Sequence, residues 1–326
     1  MPEGFDTAIT IEHVILSDDL ATISFDAAPS KQYAGTKAAG STMRKGDVLV
    51  NAGCVLTPLL LSAIASGGNT EAKVLARPKV AFIPTGNELV TPAAEIPRGK
   101  NIETNSLLIC GKIRQWGGIP IAFDIVQDNQ EAIKEAVLKA CAEADIVVLN
   151  AGSSKGSDDW NVEMLDEVGT VLYHEVNHGP GHHSSGAVVN GTPVVGISGP
   201  PGGASFTTDF YLYPLMMKYL GQPTELKKVT ARLAKDFPKA GPKPKTGEQP
   251  NKAKGEDRPP MVLKHEFFSI RQVALSVGED GCLEARPSAE MHLSLQASDA
   301  MDAYFPASSM KLTPHRGDLI EVWLRA

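Results

Sequence analysis

The sequence is poor in cysteine and in net positive charge, and it lacks long apolar runs. Only four of its 326 residues are cysteine, without a C-x-x-C pair or disulfide-like spacing, which favours a reducing compartment. The formal net charge of −7 argues against a general polyanion-binding surface, so we expect no nucleic-acid partner. No apolar run approaches the roughly 18 residues of a membrane span, and the N-terminus has no secretory pattern. We therefore expect a cytoplasmic protein.

The pattern along the chain changes twice. Residues 1–75 predict short strands broken by turn residues, as though the chain began inside a β-domain. Residues 76–221 alternate strands with helices, and residues 222–326 predict further strands that fit a small β-barrel. Within the last part, residues 238–260 are rich in Pro, Gly and Lys and predict a solvated loop. We therefore predict a β-rich N-terminal remnant, an α/β domain and a C-terminal barrel domain.

The middle part predicts an open, mostly parallel, doubly wound sheet. Its strand candidates are "KVAFIP", "IPIAFDIV" and "DIVVLN", and the helix candidates between them are "TNSLLICGKIRQWGG" and "NQEAIKEAVLKACAEA". Strands joined by helices of this length pair in parallel and are covered on both faces, which gives three layers. Ligands of such sheets bind beyond the carboxyl ends of the strands. The loops "PTGNEL", "QDN" and "NAGSSKGSDDW" should therefore meet at one edge.

These loops carry residues that suit an anion and a cation together. The stretch "GSSKGS" offers unobstructed backbone N–H groups, hydroxyls and one ammonium, a set suited to phosphate or another oxoanion. Glu88, Asp128, Asp158 and Asp159 add carboxylates, which fit beside an anion if they share a divalent cation with it or hold a polar ring by hydrogen bonds.

Simpler structural roles are open for the aspartates. Asp128 is a good N-cap for the helix that follows it, with Glu131 as its capping-box partner. Asp158 or Asp159 could likewise only cap a helix that begins near Trp160.

Four histidines form a second candidate site. His174, His178 and His182 are spaced i, i+4, which on a helix would place them on one face as in a zinc site, and His183 follows directly. The Gly-Pro-Gly stretch at 179–181 breaks any such helix. A flexible, anion-facing rim is the favoured interpretation, with a zinc site as the alternative.

Several motifs together resemble one family. "PTGNELV", "TNSLL", "QDN", the loop "G-S-S-x-G-x-x-D-W" and "GISGPPGGA" occur in the order seen in the molybdopterin-binding domain of molybdopterin molybdenumtransferases, the family of bacterial MoeA and the gephyrin E domain. "KGDVLVNAGCVLTP" is similar to that family's segment before the domain, and "HRGDLIEVWLRA" to the last strand of its C-terminal barrel. The resemblance implies an enzyme that uses Mg²⁺ to insert molybdate or tungstate into adenylylated molybdopterin with release of AMP.

The resemblance also assigns roles by position. It implies that Glu88, Asp128 and Asp159 are the active-site carboxylates, and that Asp128 and Asp159 hold the metal. The residues implied to bind molybdopterin, its phosphate or the oxoanion are Thr85, Gly86, Asn105, Ser106, Gly152, Ser153, Ser154, Lys155, Gly156, His182, Gly199 and Pro200.

The sequence departs from the family inside this site. Gly179 and His182 stand where the family has two lysines, so two fixed cations are replaced by one imidazole with an ordinary pKa near 6.5. Pro200 stands where the family has asparagine, which removes an amide and a backbone donor. These changes fall in the oxoanion and pterin site and leave the scaffold intact.

Three functions remain open on the sequence. The first is the transferase, as a homodimer or together with a separately encoded N-terminal half, because family members carry a longer N-terminal part. The second is a non-catalytic carrier, chaperone or scaffold that binds molybdopterin or the finished cofactor. The third is a nucleotide-hydrolysing relative with the same sheet, similar to competence-damage-type proteins, against which the C-terminal barrel argues.

Overall fold

A computed structural model describes residues 3–93, 95–151, 160–238, 266–287 and 302–326, with Ala151 and Trp160 described by their backbone. The chain divides into two compact units, Met1–Val74 and Leu75–Ala326. Almost all of the predicted loop over 238–260 lies outside the described residues.

In its described residues the first unit has a 3₁₀ turn at Ile11–His13, a short hairpin and one α-helix. Strands β1 (Val14–Leu16) and β2 (Ile23–Phe25) pair antiparallel, and strands in the described part of this unit are confined to that pair. Helix α1 (Pro58–Ser66) begins after Thr57, whose side chain accepts the backbone N–H of Leu60 at 3.3 Å, with proline in its first turn.

A six-stranded mixed sheet forms the first half of the second unit. In chain order its elements and neighbours are β3 (Lys79–Pro84), β4 (Leu89–Val90), β5 (Asn101–Ile102), α2 (Asn105–Gln115), β6 (Ile119–Ala122), α3 (Gln130–Glu143), β7 (Ile146–Ala151), α4 (Trp160–Val168), β8 (Gly169–His174), β9 (His178–Gly179), β10 (Ser185–Val189), β11 (Thr192–Ser198), α5 (Pro201–Thr207) and α6 (Tyr213–Tyr219). The strand order is β6-β3-β7-β11-β10-β8. The first four strands are parallel, and β10 and β8 add an antiparallel edge.

Strand β3 shows how this sheet is covered on both faces. Val80 and Phe82 pack into a core shared with α2 and α6, whereas Ala81 and Ile83 pack into a second core shared with α3 and α4. All four side chains are fully buried, because successive residues of a strand point to opposite faces. The predicted three-layer α/β fold is confirmed.

A closed five-stranded barrel forms the second half of this unit. Its strands are β12 (Lys228–Leu233), β13 (Phe268–Val277), β14 (Leu283–Pro287), β15 (Ala303–Ser308) and β16 (Leu319–Leu324). The order is β14-β12-β16-β15-β13, and pairing of β13 with β14 closes the ring. Its core includes Leu233, Val273 and Val322, all fully buried. The predicted C-terminal barrel is confirmed.

The barrel packs on the α/β domain through aromatic side chains. Tyr304 of β15 meets Phe206 of α5 edge to face at 5.2 Å between ring centroids, and Phe210 lies 5.2 Å from Trp323 of β16. Strand β9, which belongs to the α/β domain in sequence, pairs in parallel with β13 of the barrel. Among the helices of the described ranges, none has the length and apolarity that crossing a membrane requires.

Candidate functional site

A cavity of about 560 Å³ lies where β3, β7 and β11 reach their carboxyl ends. Its lining residues are Thr85, Glu88, Leu89, Asn101, Ile102, Glu103, Thr104, Asn105, Asn150, Gly199, Pro200 and Pro201. Five of them are predicted site residues, namely Thr85, Glu88, Asn105, Gly199 and Pro200. The cavity is therefore at the edge where ligands of parallel sheets bind.

Two asparagines connect the strand ends around the cavity. Asn105, the first residue of α2, donates from Nδ2 to Asn150 Oδ1 at 2.8 Å and to the Gly199 carbonyl at 2.7 Å. Asn150 in turn donates from Nδ2 to the Ser198 carbonyl at 2.8 Å, and its own carbonyl accepts the Thr85 hydroxyl at 3.2 Å. These bonds fix the ends of three parallel strands relative to the start of α2.

Asn105 also has an acceptor that the protein does not use. The residue is only 6% exposed, and its Oδ1 atom is buried without a hydrogen-bond partner. Buried polar side-chain atoms are satisfied in the large majority of cases, so this orphan is an exception within a residue that lines the cavity.

Glu103 is a buried carboxylate in the same wall. It is 9% exposed, and its Oε1 accepts the backbone N–H of Ser106 at 2.9 Å, which caps the first turn of α2. The Thr104 side chain, although at the N-cap position, makes no capping bond. The predicted site residue Ser106 therefore contributes its backbone N–H to this cap.

Glu88 lines the cavity and interacts electrostatically with Asp128, which is not itself among the lining residues. The backbone N–H of Asp128 donates to Asn87 Oδ1 at 3.0 Å, which holds the "QDN" loop against the "PTGNEL" loop. Gly86 makes room for the pair: its φ is +146°, and a Cβ there would lie 2.7 Å from Glu88 Oε2. Partial burial, and then the negative charge of Glu88, raise the pKa of Asp128.

The prediction that Asp128 caps the following helix is wrong. Asn129 is the N-cap of α3, and its Oδ1 accepts the backbone N–H of Ala132 at 3.1 Å. Glu131 therefore stands one position too early for a capping box. Because Asn129 takes the cap, the Asp128 side chain is left for another role.

The carboxylate pair fits a hard divalent cation. Within the described residues, the side chains of Asp128 and Glu88 have no hydrogen bond or ion pair with a basic group. No group of three His, Cys, Asp or Glu side chains able to hold a metal occurs among these residues. Mg²⁺ is commonly bound by one or two carboxylates together with substrate phosphates, so Glu88 at the cavity, with Asp128 near it, fits that ion.

His182 lies outside the group of residues that lines the cavity. Its Nδ1 bonds the Val176 carbonyl, and its Nε2 lies 3.8 Å from Glu175 Oε2. His183 approaches the other oxygen of Glu175 at 3.6 Å. His178 instead bonds the Tyr211 hydroxyl at 2.5 Å and the Pro180 carbonyl at 2.9 Å. The chain between β8 and β10 is not helical, as Gly-Pro-Gly predicted, so the described histidines do not share a helix face.

Six predicted site residues lie outside the described residues: Gly152, Ser153, Ser154, Lys155, Gly156 and Asp159. The helix predicted to begin near Trp160 is present as α4.

Sequence reasoning missed Glu103 and Asn150 as cavity residues. A signal existed for Asn150, because it is a polar residue at the end of the apolar strand "IVVLNA". Glu103 lies two residues before the first residue of α2. That position predicts a role in capping the helix, but it does not predict that the residue lines the cavity.

Comparison with known proteins agrees with this fold. Residues 81–218 match the family described as a probable molybdopterin binding domain. The molybdopterin molybdenumtransferase of Haemophilus influenzae is 30% identical over 222 residues, which cover 68% of this chain and 54% of that protein. That of Staphylococcus epidermidis (strain RP62A) is 28% identical over 246 residues, covering 74% and 58% respectively. The chain thus spans a little over half the length of these relatives.

Solved structures show the same fold. The molybdopterin biosynthesis MoeA protein of Pyrococcus horikosii superposes with a TM-score of 0.70 at 24% identity, over 98% of this chain and 72% of that one. A molybdenum cofactor biosynthesis protein of Pyrococcus furiosus gives a TM-score of 0.58 at 21% identity, over 87% and 82%.

Proposed function

Because this chain is homologous to the MoeA-type molybdopterin molybdenumtransferases, we propose that it acts in molybdenum cofactor biosynthesis. The proposed reaction inserts molybdate or tungstate into adenylylated molybdopterin and releases AMP. The observation that carries the proposal is the cavity at the strand ends, which lies in the matched domain and joins Glu88, Asn105 and Asn150 in one wall.

The cavity has the size and chemistry for such a substrate. Its volume of about 560 Å³ is within the 300–1,000 Å³ range usual for small-molecule sites. Its lining combines amide and carboxylate groups with apolar residues such as Leu89, Ile102 and Pro200. Polar groups of this kind orient a heterocycle, while the apolar surface buries its faces.

In the proposed mechanism Asp128 acts as general base. It accepts a proton from the oxygen nucleophile that attacks the α-phosphorus of the AMP group, while the bond from that phosphorus to the bridging oxygen breaks. A carboxylate with a raised pKa is a stronger base than an ordinary aspartate, which favours this role. Partial burial, and then the negative charge of Glu88, maintain the raised pKa.

Glu88 would hold Mg²⁺ together with Asp159, which lies outside the described residues, while Asp128 stays free to accept the proton. The ion would neutralise the charge that develops on the phosphates. The proximity of Glu88 and Asp128 supports this assignment. Two neighbouring carboxylates without a basic partner repel each other, and a bound cation reduces that repulsion.

The test is release of AMP from adenylylated molybdopterin in the presence of Mg²⁺ and molybdate. We expect the unmodified chain to release AMP, and Asp128→Asn to lower the rate constant by about 10²- to 10⁴-fold, the range for loss of a general base. Glu143→Gln, at an exposed position at the end of α3, is the matched control and should retain the rate. An unmodified chain that neither binds molybdopterin nor releases AMP would contradict the proposal.

The position of His182 favours a second candidate function, a carrier of molybdopterin or the finished cofactor. Its imidazole interacts with Val176 and Glu175 and is not among the residues lining the cavity. Gly179 and His182, which stand where the family has lysines, are not among the residues that line the cavity, so neither position provides a positive charge to its described wall. Tight binding of adenylylated molybdopterin without AMP release would favour the carrier over the transferase.

A further inference from the structure

We propose that Glu103 recognises the aminopyrimidinone edge of the pterin and is the residue that selects a pterin over related bicyclic rings. This inference rests on the proposed function, because it assigns a role within the same cavity. Glu103 is in none of the motifs from which the family resemblance was drawn, and its structural role as a helix cap does not use its second oxygen.

Glu103 has one carboxylate oxygen that the described part of the chain does not use. Oε1 accepts the Ser106 backbone N–H at 2.9 Å, while Oε2 accepts no hydrogen bond from the described part of the chain. The carboxylate is 9% exposed and lines the cavity, so the surface that it does expose faces that space. The cap also fixes the direction of the carboxylate, which makes it a rigid acceptor.

Asn105, in the same wall as Glu103, has a side-chain amide that is held in one orientation. This side chain is 6% exposed, lines the same cavity, and has a buried Oδ1 with no partner. Its Nδ2 is already bonded to Asn150 Oδ1 and the Gly199 carbonyl, so the amide cannot turn to exchange its two ends without losing both bonds. The unused acceptor of Asn105 is buried inside this wall, so Glu103 Oε2 is the acceptor that can reach a ligand in the cavity.

The chemistry of the ligand edge follows from this acceptor. The aminopyrimidinone edge of a pterin presents two neighbouring donors, the ring N3–H and the exocyclic 2-amino group. An ionised carboxylate accepts through two oxygens and donates through none, so it pairs with that edge and rejects one that presents a carbonyl. The phosphate and AMP groups would then extend toward Glu88 and Asp128, which are on the loops following β3 and β6.

The apolar part of the wall fits the same arrangement. Leu89 and Ile102 lie on the short parallel strands β4 and β5, of which β5 directly precedes Glu103, and Pro200 is the N-cap residue of α5. Such residues contact the faces of a flat ring while the carboxylate binds its edge.

The test uses calorimetric titration of the full chain with 6-carboxypterin and with 6-carboxylumazine. The second compound has a carbonyl in place of the 2-amino group and carries a hydrogen on N1 as a consequence, with the same ring system and the same 6-carboxyl group. We expect the unmodified chain to bind the pterin about 10- to 100-fold more tightly, the effect of one hydrogen bond to a charged group. This comparison needs no variant and so does not depend on the folding of one.

The variant Glu103→Gln assigns the discrimination to this residue. Its side-chain carbonyl can still accept the Ser106 N–H, so the helix cap is retained, while its amide N–H₂ replaces the acceptor that faces the ligand. We expect the preference for the pterin to fall below about 3-fold, with AMP affinity unchanged, and Glu143→Gln to behave as the unmodified chain.

Two results would overturn the inference, and they are distinguishable. If the unmodified chain binds adenylylated molybdopterin but shows no preference between the two bicyclic probes, or if Glu103→Gln retains the preference, Glu103 is not the selecting residue and the proposed function stands. If the unmodified chain binds neither adenylylated molybdopterin nor the probes, the proposed function fails and the inference fails with it.

Discussion

Lys112 of α2 and Asp209 form an ion pair that is buried between the α/β domain and the barrel. Asp209 is 0% exposed and belongs to the π-helical turn Thr208–Leu212 that follows α5. Its other oxygen accepts the hydroxyl of Tyr304, a barrel residue, at 2.7 Å, and Arg325 lies 3.7 Å from the same oxygen. Burial, opposed by Asp209, lowers the pKa of Lys112. One carboxylate thus joins α2 to the barrel.

Loss of one partner of this pair should destabilise the protein strongly. We expect Lys112→Met to lower the free energy of unfolding by about 3–5 kcal/mol, because the Asp209 charge would remain buried with its main cation removed. The measurement is urea denaturation followed by tryptophan fluorescence. The double variant Lys112→Met, Asp209→Leu should recover part of the loss, since the Asp209 charge is then no longer buried without Lys112.

The exposed pair of Lys134 and Glu167 is the matched control. Its Nζ–Oε2 distance is 2.9 Å, but both side chains reach solvent. Lys134→Met should cost about 1 kcal/mol or less. Equal losses at Lys112 and Lys134 would contradict the importance assigned to the buried pair.

The interaction between Glu88 and Asp128 predicts a coupled titration. Glu88→Gln removes a neighbouring negative charge, so the pKa of Asp128 should fall toward its ordinary value of 3.8. Carbon-13 NMR of the Asp128 carboxyl group measures this directly. Glu131→Gln, a substitution at an exposed position of α3, is the control and should leave the Asp128 titration unchanged. An unaltered Asp128 titration in the Glu88→Gln protein would show that burial alone causes the pKa shift.

The same raised pKa fixes the sign of a pH effect on stability. Between pH 3.8 and the higher pKa of folded Asp128, the folded state binds more protons than the unfolded state, so stability falls as pH rises through that window. Asp128→Asn removes this term. We therefore expect Asp128→Asn to be more stable relative to the unmodified chain at pH 7 than at pH 4, measured by urea denaturation at both values.

The four cysteines should differ in reactivity. Cys54 and Cys282 are exposed, Cys110 is buried, and burial raises the pKa of half-buried Cys141 to about 11. Compared with a thiol of pKa 9.0, that shift lowers the thiolate fraction of Cys141 about 100-fold near neutral pH. Iodoacetamide at pH 8 should therefore label Cys54 and Cys282 first, and mass spectrometry should find the other two modified only after denaturant is added.

The elements that the sequence predicted well are those whose signal is local. The run "KVAFIP" is continuous and apolar because both faces of β3 are buried, and the strand Lys79–Pro84 coincides with it. The candidate "IPIAFDIV" was predicted too long: β6 ends at Ala122, and only Val126 pairs again, through an isolated bridge to Thr85. The strand stops at irregular backbone over residues 123–125, which apolar content does not reveal.

The choice between two adjacent caps depended on a distant contact. Asp128 and Asn129 are both good N-caps, so the local pattern does not distinguish them. Asn87, 41 residues earlier, bonds the Asp128 backbone and leaves Asn129 at the helix start. The same limit applies to Lys112, which occupies a buried position of α2 because Asp209, 97 residues later, compensates its charge.

His178 packs between the rings of Phe206 and Tyr211. Burial lowers the pKa of this imidazole from 6.5, opposed by its bond to the Pro180 carbonyl and assisted by nearby His182. Below pH 6.5 the unfolded state therefore binds more protons than the folded state, and stability falls as pH decreases toward the lower folded pKa.

Replacement of His178 by a residue that does not titrate should remove this loss of stability at low pH. We expect His178→Phe to be less stable than the unmodified chain at pH 7.5, because the Tyr211 hydroxyl loses its partner, and the difference between the two to shrink at pH 5.5. Urea denaturation at the two pH values measures the difference, with His315→Gln, at an exposed histidine, as control. A His178→Phe deficit that is equal at both values would show that this imidazole does not contribute to the pH dependence.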